Sequence, residues 1–200
     1  MEISNTTKDS LDDGSHFIMN NNEWCIANLE NRVYNFPSSI YFYKANDEYG
    51  FMSNFYKQSF DGIDSMNKKH TYCCNEQYFM YEKCLLFDKE NISLLENILQ
   101  ETDPTKIKKF GRYVKKYDDK EWSKCRYIIM KTGLLYKFAS QEMKQKLIET
   151  NNKILYEASP TDAIWGIGFD AITALSRNKS EYGENLLGKC LMEVREELKK

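Results

Sequence analysis

No run in this 200-residue sequence approaches the roughly 20 consecutive apolar residues that a membrane span requires. The opening stretch MEISNTTKDSLDDGSH lacks the basic and then apolar blocks of a secretory signal, so the expected setting is cytoplasmic. Positive charge is not in excess either. The formal net charge of −2 argues against a global basic field that would hold nucleic acid blindly, although a sum over the chain leaves room for a local basic groove. The six cysteines (25, 73, 74, 84, 125 and 190) come without a signal and read as reduced thiols, and adjacent Cys73 and Cys74 would pair only under strain. His70, Cys73, Cys74 and Cys84 lack the two-plus-two spacing of a zinc site, so no metal is expected. Internal repeats and low-complexity blocks are missing from residues 39–199.

What is present is a globular composition, 42% hydrophobic and 29% charged, in a chain long enough for one domain with a real core. Residues 1–37 read as a polar extension, patternless except for EWCIANL, from which Trp24 and Leu29 are expected to dock on the domain formed by residues 38–200. From Ser39 the character changes. SIYFYK (39–44), NFYKQSF (54–60) and KKHTYCC (68–74) are aromatic or β-branched and separated by turn residues, which predicts a small antiparallel sheet. Helical signals then dominate: 75–87 with an Asn cap, 93–100, 103–112 with Asp as cap and Pro following, 119–139, 140–150 and 185–199, with a strand expected at 153–158. On the helix at 119–139 the expected apolar stripe is Trp122, Cys125, Ile129, Thr132 and Tyr136. The fold class is therefore α+β, a helix-dominated single domain with a small antiparallel sheet.

Three stretches carry chemistry-bearing side chains. Glu76 and Lys83 are seven residues apart, offset by only about 20° on one helical face and separated by two turns. On a surface such charges form a solvated face. Here Tyr78, Phe79, Tyr81, Leu85 and Leu86 make the helix apolar nearly all round, which requires charges that are paired or functional. Trp122, Arg126 and Met130 follow at i, i+4 steps. They suit core packing with an arginine at the rim, or an aromatic plate beside a guanidinium for a heterocyclic base and a phosphate.

In SPTDAIWGIG (159–168), Ser159 suits an N-cap, Pro160 the first helical position, and Asp162 the free N–H groups beyond it. Gly166 and Gly168 permit positive φ or a close backbone approach, but G-x-G without a third glycine is no dinucleotide fingerprint. In GENLLGKCLMEVR (183–195), Asn185 opens a helix and Gly188 falls within its first turn, where a second helix or a ligand is expected to approach closely.

Taken in order, six motifs resemble the YbiA-like, or NADAR, family over roughly four-fifths of the chain. They are Gly50, Ser53, Asn54 and Phe55; Glu76 opening an aromatic helix that reaches Lys83; Gly111-Arg112; Trp122, Arg126 and Met130; Asp162, Trp165, Gly166 and Gly168; and Gly183, Asn185, Leu187, Gly188, Leu191, Met192 and Arg195. The resemblance implies an N-glycosidase that hydrolyses a ribose–nitrogen bond of a nucleotide-type substrate. In one branch the substrates are phosphoribosylated intermediates of riboflavin biosynthesis, and in another ADP-ribose attached to guanine in nucleic acid. It implies Glu76, Lys83 and Asp162 as catalytic residues, and Ser53, Asn54, Phe55, Trp122, Arg126, Trp165, Gly166, Gly168 and Asn185 as substrate-binding residues, with no cofactor. The family commonly has His directly after the glutamate, where this chain has Gln77. A non-catalytic ADP-ribose- or nucleotide-binding module and a purely structural helical protein are the rival readings.

Overall fold

The run SIYF forms a strand, as its composition predicts, but not with the partners expected of it. The structure is a computed structural model that describes residues 36–200 and, before them, the backbone of four strands. These are β1 (Thr7–Ser10), β2 (Ser15–Asn20), β3 (Glu23–Asn28) and β4 (Val33–Asn35). With β5 (Ser39–Phe42) and β8 (Ile154–Glu157) they form a six-stranded sheet in the order β1-β2-β3-β4-β5-β8. Neighbours are antiparallel except β5 and β8, which run parallel in register from Ser39 opposite Ile154 to Phe42 opposite Glu157. Leu29 and the side chain of Trp24 lie outside the described residues.

The other strands are β6 (Phe60–Ile63) and β7 (Lys69–Tyr72), an antiparallel pair. The expected strand at 54–60 is thus corrected to irregular chain that reaches extended pairing only at Phe60. Its aromatic residues are used otherwise: the Phe55 ring lies under Lys108 and the Tyr56 ring under Lys137. Helices outweigh strands among the fully described residues: α1 (Asn75–Asp88), α2 (Ile92–Gln100), α3 (Pro104–Phe110), α4 (Asp119–Lys137), α5 (Gln141–Ile148), α6 (Ala171–Leu175) and α7 (Leu186–Leu198). No helix among the described residues is long and apolar enough to cross a membrane.

The chain divides into two compact units, one of Met1–Ser53 with Lys146–Lys200 and one of Asn54–Gln145. In the first, Phe36, Tyr41, Ala158, Ile167, Ala171 and Ala174 form a core. Tyr41 stacks on Tyr156 at 4.9 Å, and its hydroxyl shares a 3.1 Å hydrogen bond with that of Tyr182. Helix α7 buries Leu187, Cys190, Leu191 and Val194, the face expected from its periodicity, and packs on β8. Gly188 makes that packing possible. A Cβ there would meet the Leu155 carbonyl oxygen at 2.1 Å, so the close neighbour is a strand backbone rather than a helix or a ligand.

In the second unit α1 is the central element, with α2, α3, α4 and β7 around it. It buries ten of its residues, including Asn75, Glu76, Gln77 and Glu82, as an all-round apolar helix should. Its N-cap is Cys74 rather than Asn75, whose side chain is engaged elsewhere. The buried face of α4 also differs from expectation. It runs through Trp122, Met130, Gly133, Leu134 and Lys137, displaced from the stripe through Cys125, Ile129, Thr132 and Tyr136. A lysine at the end of the true stripe hid it from a reading based on hydrophobicity.

Candidate functional site

The start of α1 is fixed by a small polar network inside the second unit. The Asn54 carbonyl accepts the Glu76 N–H at 3.1 Å, and the Asn75 side-chain amide donates to Asn54 Oδ1 at 2.9 Å. Both amides also point at the Met130 thioether, from 3.2 Å for Asn54 and 3.1 Å for Asn75. Sulfur is a weak acceptor, but a buried amide has few alternatives. Gly133 leaves the room required, since a Cβ on it would meet Asn75 Oδ1 at 2.3 Å. Asn54 and Met130 therefore act on Glu76 by holding its backbone. Glu76 itself is only 5% exposed, in the first helical turn, where the helix dipole favours a carboxylate.

Two turns on, Lys83 is half-buried. Its Nζ donates to the Gly111 carbonyl at 2.9 Å and lies 4.2 Å from the centroid of the Tyr117 ring and 5.9 Å from that of Trp122. Burial holds its pKa below the usual lysine range, against the opposing influence of Glu76 and Asp119. Met80 packs against Gly111, its thioether sulfur filling the place a Cβ would take. Trp122 is 6% exposed, tilted against Phe79 at 4.9 Å and edge-on to Phe87 at 6.3 Å. Arg126 is half-buried one turn along α4. Asn54, Phe55, Glu76, Lys83, Trp122 and Arg126 thus belong to one unit.

Gln77 is 1% exposed and works as a strut. Its Oε1 accepts the Cys73 N–H at 2.6 Å, while Nε2 faces the carbonyls of Ile98 (2.8 Å), Leu99 (3.1 Å) and Glu101 (2.9 Å) at the end of α2. The residue beside Glu76 is therefore committed to holding α1 and α2 together.

Ser53, Asp162, Trp165, Gly166, Gly168 and Asn185 belong to the first unit. Residues 159–168 form turns and bends, so the cap-like residues Ser159 and Pro160 lead into a turn and not into a helix. The reason lies in the loop's partner. The carbonyls of Ala163, Ile164, Trp165, Gly166 and Ile167 accept N–H groups from Glu184, Leu186, Leu187, Asn185 and Gly183, respectively, over 2.8–3.1 Å. In a helix those carbonyls would point along the axis to N–H groups four residues on. Asp162 Oδ1 accepts the N–H groups of Ile164 (2.9 Å) and Trp165 (2.8 Å), a cap-like turn without a helix. Gly168 has φ +76°, and at Gly166 a Cβ would meet the Glu157 carbonyl at 2.7 Å, so each glycine serves one of the two expected purposes. Asn185, itself left-handed at φ 52°, spends its side chain on β8, accepting from Glu157 N at 3.0 Å and donating to Leu155 O at 2.8 Å. Ser53 is buried, and its N–H closes the short turn Gly50–Met52.

With this geometry in place, the NADAR domain family matches residues 41–199. The chain belongs to that family. It is 39% identical over 128 residues to N-glycosidase R617 of Acanthamoeba polyphaga mimivirus, covering 63% of this chain and 74% of the relative. It is 31% identical over 162 residues to N-glycosidase Npun_R5314 of Nostoc punctiforme, covering 80% and 93%. Among solved structures, the NMR structure of the Escherichia coli protein YbiA superposes with a TM-score of 0.61 at 30% identity, covering 81% of this chain and 85% of that one. The helix-dominated YbiA-like fold is thereby shown, and relatives named N-glycosidase support an N-glycosidase-type function.

Against this NADAR background, two buried features escaped the sequence reading. Lys137 is 1% exposed, with Nζ 5.6 Å from the Tyr56 ring centroid and 5.3 Å from that of Phe138, and burial pushes its pKa down to about 7. Its position, three after Leu134 and seven after Met130, was the available signal. Asp64 and Glu82, both buried, meet at the β6–β7 turn. Asp64 Oδ2 is 3.2 Å from His70 Nε2, and burial raises the Glu82 carboxyl, whose Oε1 accepts the Ser65 N–H at 2.9 Å.

Proposed function

We propose that this NADAR protein is an N-glycosidase that hydrolyses the bond between a ribose anomeric carbon and a nitrogen in a nucleotide-type substrate. The observation that carries this reading is the buried carboxylate of Glu76 in the first turn of α1, two turns from a half-buried amine of lowered pKa. Breaking a ribosyl C–N bond builds positive charge on the sugar, so a carboxylate near the anomeric carbon stabilises the transition state more than the ground state. Glu76 takes that role, orienting a ribose hydroxyl or the attacking water. Lys83 either forms a transient imine with the opened ribose, for which a lowered pKa suits it, or serves as the counter-charge to Glu76. Trp122 and Arg126 line the base and phosphate sides. Asp162 positions Trp165 by holding its backbone N–H.

The substrate is either ADP-ribosylated guanine in nucleic acid or a phosphoribosylated intermediate of riboflavin biosynthesis. The test is parallel incubation with ADP-ribosyl-guanosine DNA and the phosphoribosylated pyrimidine intermediate, followed by mass. Release of base or of the ribosyl unit from either one is expected. Glu76→Gln should fold normally and lower turnover at least ~100-fold, as for a lost acid–base group. Tight binding of both without release would make the protein a nucleotide-binding module instead.

A further inference from the structure

Residues 106–116 hold six of the chain's 28 lysines and arginines and not one acid, in a protein of net charge −2. Lys106, Lys108, Lys109, Arg112, Lys115 and Lys116 are all exposed, along α3 and the turn after it. Among these cations, Tyr113 and Tyr117 are 54% and 43% exposed. The stretch also borders the candidate site within its own unit. Lys108 Nζ lies 5.6 Å from the Phe55 ring centroid, the Gly111 carbonyl accepts from Lys83, and the Tyr117 ring lies 4.2 Å from the Lys83 amine.

Part of this charge is answered locally. Lys106 pairs with Glu101 at 3.6 Å, and Asp88 lies within electrostatic reach of Lys115 and Lys116. Lys109 and Arg112 have no carboxylate within 4.0 Å among the described residues. The basic run ends at Asp118, where the acidic first turn of α4 begins.

We propose that residues 106–117 form a strap that binds the sugar-phosphate backbone of a single-stranded nucleic acid and leads it to Lys83 and Glu76. The proposal deepens the N-glycosidase reading, on which it rests for the chemistry, by giving the substrate a polynucleotide backbone. A free metabolite with one or two phosphates needs one or two cations. A row of six with no acid between them in the sequence matches a ligand with charge repeated along its length. The exposed tyrosines decide between polyanions. Splayed bases stack on aromatic faces, which a duplex withholds and an acidic peptide lacks.

The test is fluorescence anisotropy of the full chain with an unmodified, labelled oligo-thymidylate of about 16 nucleotides, between about 50 and 200 mM salt. Binding that weakens steeply with salt is expected. The triple variant Lys109→Gln, Lys115→Gln, Lys116→Asn removes three exposed charges, with Asn chosen because Lys116 has φ 56°. It should bind at least ~10-fold more weakly and flatten the log–log salt slope by about 2, at roughly 0.7 for each phosphate no longer neutralised. Tyr113→Ser should weaken binding at least about fivefold and leave that slope unchanged. The proposal is overturned if the wild type does not bind at the lower salt, if the triple variant binds as tightly, or if polyglutamate of equal length competes as well as the strand. Because the strand carries no scissile ADP-ribose, these outcomes are independent of catalysis. Strand binding without release from either substrate would sink the glycosidase reading alone, and release by a protein that ignores the strand would sink the strap alone.

Discussion

Replacing Gln77 with alanine should destabilise the protein strongly while leaving the chemistry of the surviving folded fraction nearly intact. The side chain is 1% exposed and has two amide protons for three carbonyls, so at any moment it makes two donated bonds and one accepted bond. Each such bond is worth about 1 kcal/mol net, and the groups left behind at Cys73, Ile98 and Glu101 lose their partners in a largely buried place. The missing side chain adds a small cavity term. Together these give about 3–4 kcal/mol. For a chain of this length each kcal/mol shifts the melting temperature by about 2–4 °C, so the expected drop is about 6–16 °C. Calorimetry or circular dichroism measures it, with turnover per folded molecule assayed below the transition. A loss below about 1 kcal/mol would refute the strut. A normal melting temperature with turnover reduced by ~100-fold would place Gln77 in proton transfer, the role available to the histidine common at this position.

Two further expectations concern lysines. If Lys83 forms an imine, borohydride added during turnover should leave a ribosyl adduct on it, visible by peptide mass; substrate consumption with no adduct leaves only the counter-charge role. For Lys137, burial lowers the pKa from 10.5 to about 7, so between those values the unfolded chain binds a proton that the folded chain does not. Wild-type stability should therefore climb as pH rises through that window. Lys137→Met should remove that climb, which is worth about 3–5 kcal/mol across the window. Urea melts of both proteins across pH measure the difference, and parallel curves would contradict it.

Most helices were legible because their ends are written locally. Asn91, Asp103 and Asp118 accept first-turn N–H groups at α2, α3 and α4, and Pro104 sits where its missing N–H costs nothing. Elements fixed by distant partners were not legible. Strands β1–β4 lie in polar sequence whose pairing, not composition, makes them strands. The start of α1 reads as an Asn cap, yet Asn75 turns to Asn54 and Met130, the latter 55 positions away in the chain. On α4 the buried stripe includes Gly133 and Lys137, neither of which reads as apolar core. At 159–168 the sequence offers both a cap and a turn, and the five bonds from residues 183–187 go with Asp162 capping a turn.

The same bonds bear on where a phosphate could bind. A helix N-terminus is a ready anion site only while its N–H groups are free. At α7 the N–H groups of Asn185, Leu186 and Leu187 already donate to Gly166, Ile164 and Trp165, so the glycine-rich motifs of the first unit are spent on each other. Gly183 and Gly188 serve this interlock by close backbone approach, and Asn185 by its bonds to β8. The phosphate contacts proposed above therefore rest on side-chain cations of the second unit, Arg126, Lys109 and Arg112, rather than on the start of α7. The two sets of family motifs thus differ in kind. Those around Asp162 and Asn185 build a rigid loop, whereas those around Asn54, Gly111 and Met130 hold Glu76 and Lys83 in place. The chemistry proposed for this protein therefore rests on α1.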